Sequence, residues 1–400
     1  MSSPETATPR FAAALSTELD TIEAAQFVCR RIKEELGNAL NLVIVFASVH
    51  HQPNFAALAE LINRELRADC LLGCTGESIV CGSQEIEQEP ALALWAAHLP
   101  GVTLLPMHLE FDRTPEGGAF SGWHDSLFDA WPDGASLIIL AEPFSFPTDV
   151  LLKRLNQDQP DTTVVGGMAS GAFGPGQNRL LFGSNEINRG AVAVLMHGPI
   201  KVRTVVSQGC RPIGRPFVVT KADENLIHEL GGRPALAQLQ ELFQQLSAEE
   251  QELARQGLHV GQVINEYQET FGRGDFLVRN IQAVDRDTGA IAIGDYVRAG
   301  QTVQFHVRDA TTADEELHEL LEQAKAASAD RCLGGLMFTC NGRGTRLFGE
   351  PHHDAAAIAK AWPSLPLAGF FAQGEIGPIG GKSFLHGFTA SIALFEKVGK

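Results

Sequence analysis

The apolar positions of this chain fall into short unbroken runs bounded by Gly, Pro and Asn, and between those runs they recur at helical spacing. β-Branched and aliphatic runs of that length read as buried strands, whereas apolar residues at i, i+3 and i+4 mark one face of an amphipathic helix. Read this way, one order of elements recurs along the chain. The first copy is "NLVIVFASVHHQPNFAALAELINRELRADCLLGCTGESIVCG" followed by "PALALWAAHLP": strand, short loop, helix, strand, Gly-rich turn, strand. The second is "SLIILAEPFSFPTDVLLKRLNQDQPDTTVVGGMASGAFGPG" with "NRLLFGSNEINRGAVAVLMHG". The third joins "CLGGLMFTCNGRGTRLFG", "EPHHDAAAIAKAWPSLPLAGFFAQGEIGPIGG" and "GFTASIALF". Leu58, Leu61 and Ile62 set the apolar helix face in the first copy, and Val150, Leu151 and Leu155 in the second.

Between the second and third copies the pattern changes. Residues 233–257 read as a helical connection with Leu236, Leu239, Phe243 and Leu246 on one face, and Ser247 with Glu250 forms a capping box that restarts the helix. The stretch "FLVRNIQAVDRDTGAIAIGDYVRAGQTVQFHVRD" alternates and is split by Asp-Thr-Gly and Ala-Gly turns, which predicts an antiparallel meander. Thr312 and Glu315 read as a second capping box, opening a helix with Leu317, Leu320, Leu321 and Ala324 inward. The expected fold class is α+β. Repeated strand-helix-strand-turn-strand units form mixed, mainly antiparallel sheets packed face to face, with helices outside. The expected division is a loose segment over 1–24, an N-terminal domain over 25–225 and a C-terminal domain over 226–400.

Composition changes this picture little. Four hundred residues, 44% hydrophobic and 20% charged, make a globular chain with a sizeable core. No run approaches the roughly 18–20 apolar residues of a membrane span, and the first residues lack a signal-peptide pattern, so a cytoplasmic protein is expected. Seven cysteines without framework spacing fit reduced thiols. The net charge of -17 argues against a nucleic-acid partner, whose phosphates demand a basic face.

The turn Gly-Cys-Thr-Gly-Glu at 73–77, the "GGMASG" turn, the "FTCNGRG" strand end and "GFFAQGEIGPIGG" resemble the FIST domains, found in F-box and intracellular signal-transduction proteins. The resemblance spans roughly 25–395, with the N-terminal part ending near 225 and the C-terminal part starting after about 255. It implies a sensory module for a small ligand, amino acids or haem. No F-box, output domain or transmembrane receptor part accompanies the resemblance within these residues, so such a sensor would act through a downstream signalling protein that the sequence does not name.

The chemistry of the third copy points the same way on its own. An apolar strand ends in Cys340, Asn341, Gly342, Arg343 and Gly344, and a second ends in Gly374, Glu375, Gly377 and Pro378. Arg343 offers a planar fork of donors for an anionic group, and Glu375 can receive a ligand amine or pair with Arg343 as a structural bridge. Flanking glycines let backbone approach a ligand closely. A ligand site of anionic or amino-acid-like specificity is therefore expected at these residues. An enzyme built on Cys340, with His386 or His353 as base and Glu375 orienting it, is the alternative from another class. No cofactor is required. Haem, held by His386, His353 or His197 alone, stays open because no C-x-x-C-H motif exists.

Other motifs carry less. "GPIGGKS" departs from the phosphate-loop spacing by one residue and precedes a strand rather than a helix, and no helix follows "GAFGPG". Cys70, Cys74 and Cys81 lack zinc spacing and read as small buried hydrophobes. The runs His50-His51 and His352-His353-Asp354 read as helix caps more readily than as metal ligands.

Overall fold

The computed structural model describes residues 8–114, 117–268, 270–272, 274–328 and 331–398. Contacts divide them into two compact units, one from the described residues of 8–206, 318–385 and 389–398, the other from those of 207–317 and 386–388.

In the first unit the three copies share one element order. The first runs Leu42–Ser48, helix Phe55–Leu66, Cys70–Gly76, a hairpin of Ser78–Cys81 and Gln84–Glu87, and Leu92–His98. The second runs Ser136–Ala141, helix Thr148–Asp158, Thr163–Met168, the hairpin Leu180–Phe182 and Asn185–Ile187, and Ala191–His197. The third runs Cys332–Cys340, helix His353–Ala361, Leu367–Ala372, the hairpin Glu375–Ile379 and Lys382–His386, and Ala390–Lys397. In each copy the first two strands pair in parallel and the last strand returns antiparallel beside the first.

Each hairpin leaves its own copy. Ser78–Cys81 pairs with Leu367–Ala372 of copy three, Glu375–Ile379 pairs with Thr163–Met168 of copy two, and Leu180–Phe182 pairs with Cys70–Gly76 of copy one. The exchange closes on itself, so each sheet contains strands of two copies. Ser170 ties all three at the crossing: its Oγ donates to the Phe371 carbonyl and accepts the Glu77 N–H at 2.8 Å.

The same repeat position is glycine throughout. Gly73, Gly166 and Gly369 face Val45, Ile139 and Met337 across the parallel pair, and a Cβ would stand 2.7, 1.9 and 1.8 Å from the facing carbonyl oxygens. Gly369→Ala is therefore expected to cost about 1–3 kcal/mol, as overpacking does. Gly387→Ala, with nothing within 4 Å of its Cβ, should be near neutral. Equal urea midpoints for the two variants would sink this account.

The strands read as continuous apolar runs because both faces are covered. Leu42, Ile44 and Phe46 join Trp95, Ile138, Phe338, Phe370 and Phe395 in a core shared by the three sheets, while Val43, Val45 and Ala47 face helices Thr21–Leu36 and Phe55–Leu66. Helix Thr148–Asp158 covers the second sheet in the same way. Cys70, Cys74 and Cys81 lie in the shared core, where burial pushes the Cys70 and Cys81 thiols up to about 12.

The expectation of a loose segment over 1–24 needs correction. Arg10–Ser16 is a strand paired antiparallel with Leu92–His98, and Asp20 caps helix Thr21–Leu36 by accepting from Ile22 and Glu23 N–H. Phe11 packs on Trp95 and Phe395, which gives the strand an anchor in the core. Residues 1–7 lie outside the described residues.

The second unit is a closed barrel. The expected meander supplies Phe276–Val284, Ile291–Ile293 and Thr302–Arg308, joined by Leu258–Val263. Cys210–Asp223 pairs with both Thr302–Arg308 and Leu226–Leu230, and Leu226–Leu230 with Ile291–Ile293, which closes the ring. The Ser247–Glu250 capping box forms as expected. At the next helix, Ala310–Ser328, Asp309 does the capping instead, taking the Thr311 N–H and Thr312 hydroxyl, so Thr312 lies inside the helix. Helix Ala235–Gln245 turns slightly from the expected face: Ala235, Gln238 and Leu242 are buried, and Gln238 Nε2 donates to the Leu230 carbonyl at 3.0 Å.

Candidate functional site

The strand Cys332–Cys340 brings its end beside the end of Leu367–Ala372 through the parallel register Cys340 to Ala372, and Asn341 N–H donates to the Ala372 carbonyl at 3.1 Å. Thr389 bridges the two expected turns. Its carbonyl accepts Cys340 N–H at 3.0 Å, and its own N–H donates to Glu375 Oε2 at 3.0 Å. Cys340 is half-buried, and its Sγ accepts the Gly342 N–H at 3.4 Å. Asn341 Oδ1 is buried without a hydrogen-bond partner among the described residues. Glu375 is fully buried, in register with Gly167 of copy two.

Arg343 is placed differently from the expected open fork. It is 0% exposed, and its Nε and Nη2 donate to Asp354 Oδ2 and Oδ1 at 2.7 and 2.8 Å. Thr339 Oγ1 also donates to Asp354 Oδ2 at 2.8 Å, and His353 Nδ1 lies 3.0 Å from Oδ1. The guanidinium sits 5.2 Å over the Phe348 ring, which stacks on His353. Burial alone would raise the Asp354 pKa, but the charge and hydrogen bonds of Arg343, and then His353, outweigh it and hold the carboxyl well below the usual carboxylate range. The chain reversal at 341–354 brings a fixed-charge fork onto a carboxylate at the start of the next helix, so the two satisfy each other away from water. Direct capture of an anion by an exposed Arg343 is thus replaced by a structural role.

The hairpin exchanged from copy one holds this turn from outside. Glu87 accepts the Thr345 N–H and hydroxyl, Arg346 pairs with Glu77, and Glu85 Oε1 accepts the Ala355 N–H at 2.9 Å. Gly344 has φ +60°, and a Cβ there would meet Glu87 and Phe371 at 2.7–2.8 Å, so the glycine admits protein rather than ligand. Gly374 and Gly377 are likewise crowded, by Leu385 and by Ser391. Pro378 follows in the same strand, which turns at Gly380–Gly381 into Lys382–His386, so "GPIGGKS" is a hairpin.

Glu85 is the residue that sequence reasoning missed. It is 2% exposed, and its Oε2 has no hydrogen-bond partner among the described residues. Burial, and then the nearby Asp354 charge, raise its pKa to about 8. In "SQEIEQ" it reads as one more turn residue; the available signal was its place two residues from Glu87 in an alternating strand. His352 and His353 do not cap the helix with their side chains: His352 Nδ1 accepts the Glu85 N–H at 2.9 Å. In copy one, His51 is buried against Thr21 Oγ1 at 3.1 Å. The three histidines considered for haem fall on separate elements: His197 ends Ala191–His197, His353 opens its helix and His386 ends Lys382–His386. Among the described residues no group of three metal-ligating side chains forms, and no helix is long and apolar enough to cross a membrane.

Comparison with known proteins places this geometry in context. The family model of the FIST N domain matches residues 41–233, and that of the FIST C domain matches 235–378. An uncharacterized protein of Mycobacterium tuberculosis is 43% identical over 387 residues, covering 96% of this chain and 99% of its own length. One of Mycobacterium bovis is 42% identical, covering 96% and 98%. An F-box/LRR-repeat protein of Arabidopsis thaliana is 27% identical over 95 residues, 23% of this chain and 18% of that protein. Among solved structures, PurL of T. maritima complexed with ATP aligns over 98% of this chain and 72% of its own, at 10% identity and a TM-score of 0.24.

Proposed function

The chain belongs to the FIST family, whose domains are associated with signal transduction and small-ligand sensing, and we propose that it is a sensor for a small amine-bearing, amino-acid-like ligand. The ligand is held by Cys340, Asn341 and Glu375, with Gly342, Gly344, Gly374, Gly377 and Pro378 shaping the backbone and Arg343 fixing the turn from beneath. One observation carries the reading: among the described residues Asn341 Oδ1 is a buried acceptor left without a donor, beside a half-buried thiol. Such an acceptor costs about 1–3 kcal/mol, which a ligand N–H would relieve. The Glu375 carboxyl, linked to Cys340 through Thr389, is the acceptor assigned to the ligand amine. Occupancy would tighten the joint of copies one and three, and a partner protein would read that change.

Thermal melts with amino acids and simple amines test this, together with native mass spectrometry of the freshly purified protein. Asn341→Ala should leave the ligand-free midpoint unchanged or slightly higher, and should weaken ligand binding by about tenfold, the loss of one hydrogen bond near 1.4 kcal/mol. A bare protein that no amine stabilises would end the proposal. Stoichiometric thiol labelling of Cys340 blocked by ligand, without turnover on esters or amides, separates a sensor from a cysteine hydrolase.

A further inference from the structure

Copies one and two are each preceded by a strand that pairs antiparallel with the last strand of the copy: Arg10–Ser16 with Leu92–His98, and Thr103–Asp112 with Ala191–His197. In copy one the chain then forms helix Thr21–Leu36, whose Val28, Cys29 and Ile32 share a core cluster with Leu58 and Ile62 of helix Phe55–Leu66. Among the described residues copy two has no such long helix. The corresponding stretch gives the strand Ala119–Ser121, the single turn Ser126–Asp129 and Trp131. A cavity of about 370 Å³ is left there beside helix Thr148–Asp158, with the buried Leu151 and Leu155 of that helix among its lining.

Its walls are aromatic and held in place. Trp123 and Trp131 meet edge to face at 5.9 Å, and Trp131 Nε1 donates to Thr162 Oγ1 at 2.7 Å. Phe120 packs on Phe146 at 5.4 Å, with the Arg154 guanidinium 5.2 Å from its centre and Arg154 Nη2 donating to the Gly118 carbonyl at 2.8 Å. Phe128 lines the same cavity differently. It is 75% exposed, on a turn of helix that buries none of its residues. A large apolar ring left in water beside an aromatic groove marks an interaction surface, and aromatic anchors carry most of the binding energy of such surfaces. The charge around it has one sign. Residues 114–152 include no Lys or Arg, Asp125, Asp129 and Asp133 are exposed, and Asp158 lines the cavity. A second copy of this chain would set the same aspartates against each other across a symmetric contact, whereas a basic partner would be drawn to them.

We propose that this groove docks a basic amphipathic helix of a partner protein, laid beside Thr148–Asp158 where copy one carries a helix of its own. Apolar residues at helical spacing enter between Phe120, Trp123, Phe128 and Trp131, and Lys or Arg on the flanks meet the aspartates. The groove uses none of the residues of the sensor reading above, so either can fail without the other. The test is calorimetric titration of the full chain with a synthetic helical peptide of Leu, Ala and Lys, its Leu residues on one face. The controls are a scrambled peptide of the same composition and a counterpart with Glu for Lys. Saturable one-to-one binding of the first peptide alone is expected, with a matching change in Trp emission. Phe128→Ser and Asp158→Lys should each weaken it by about tenfold or more, the effect of losing an anchor residue. Both positions are exposed, so unchanged thermal melts of the two variants are expected to show that the fold is intact. Sedimentation of the bare protein should be the same with and without Phe128→Ser. No binding of the first peptide, equal binding of either control, or binding unchanged in both variants would each overturn the assignment. A dimer that Phe128→Ser disperses would also overturn it, by giving the groove to a second copy.

Discussion

Arg343→Ala is expected to destabilise the protein by about 3–5 kcal/mol, the loss seen when one partner of a buried ion pair is removed. The reason is the carboxylate left behind. Asp354 is 1% exposed, and Arg343 supplies two of its hydrogen bonds and the largest favourable charge. Without the guanidinium, the Thr339 hydroxyl and His353 are left to face it. Arg343→Lys keeps a charge but loses the planar fork, so an intermediate loss is expected. The double replacement Arg343→Met with Asp354→Leu removes both charges and should recover much of the stability, because two matched apolar side chains leave nothing unpaired. Urea unfolding of the four proteins decides the matter. Single and double variants that lose the same amount would mean that the pair is not what holds the turn.

Glu85→Gln should act in the opposite direction. The ordinary glutamate value of 4.5 rises to about 8 in the fold, so between those values the folded state holds a proton that the unfolded chain releases. Stability contributed by this residue is therefore greatest at low pH and falls as pH climbs from about 4.5 through about 8. Glutamine keeps the acceptor for the Ala355 N–H and removes the titration. At pH 8 the variant should be more stable by an amount on the order of 1–3 kcal/mol, and its midpoint should change less between pH 5 and pH 8 than that of the wild type. The test needs no ligand: melts across that range. Parallel pH profiles for the two proteins would show that Glu85 does not carry the dependence. Asp354 works the other way, contributing stability above its ordinary 3.8 and losing it as pH falls further.

Both predictions turn on carboxylates, Asp354 and Glu85, whose importance is poorly visible in the sequence. The turn Cys340–Gly344 was legible as a special place, because glycines flank a cation at the end of an apolar run. Its partner was not. Asp354 sits eleven residues on, in a His-His-Asp run that reads equally well as a helix cap, and Glu85 lies in another copy altogether. Likewise Asp309 and Thr312 both satisfy the composition of a helix start, and only the backbone path decides which hydroxyl or carboxylate meets the first amides.

What the sequence determined by itself is the succession of strand, helix, strand and final strand in each copy and the faces they bury, while the expected Gly-rich turn before the final strand is a hairpin in all three. Periods of two and 3.6 are local, and residues such as Ile44 and Val45, or Leu58 and Ile62, declare their side within a few neighbours. What only the tertiary structure decided is which strand pairs with which. A backbone amide bonds any carbonyl, so nothing in "SIVCGSQEIE" states that this hairpin leaves its own copy to pair beside Leu367–Ala372. That exchange sets Glu85 beside Asp354 and Glu87 on Thr345, and with them the surroundings of Arg343. Long-range pairing is chosen by how all three copies close their cores at once, a condition that no short stretch of chain contains.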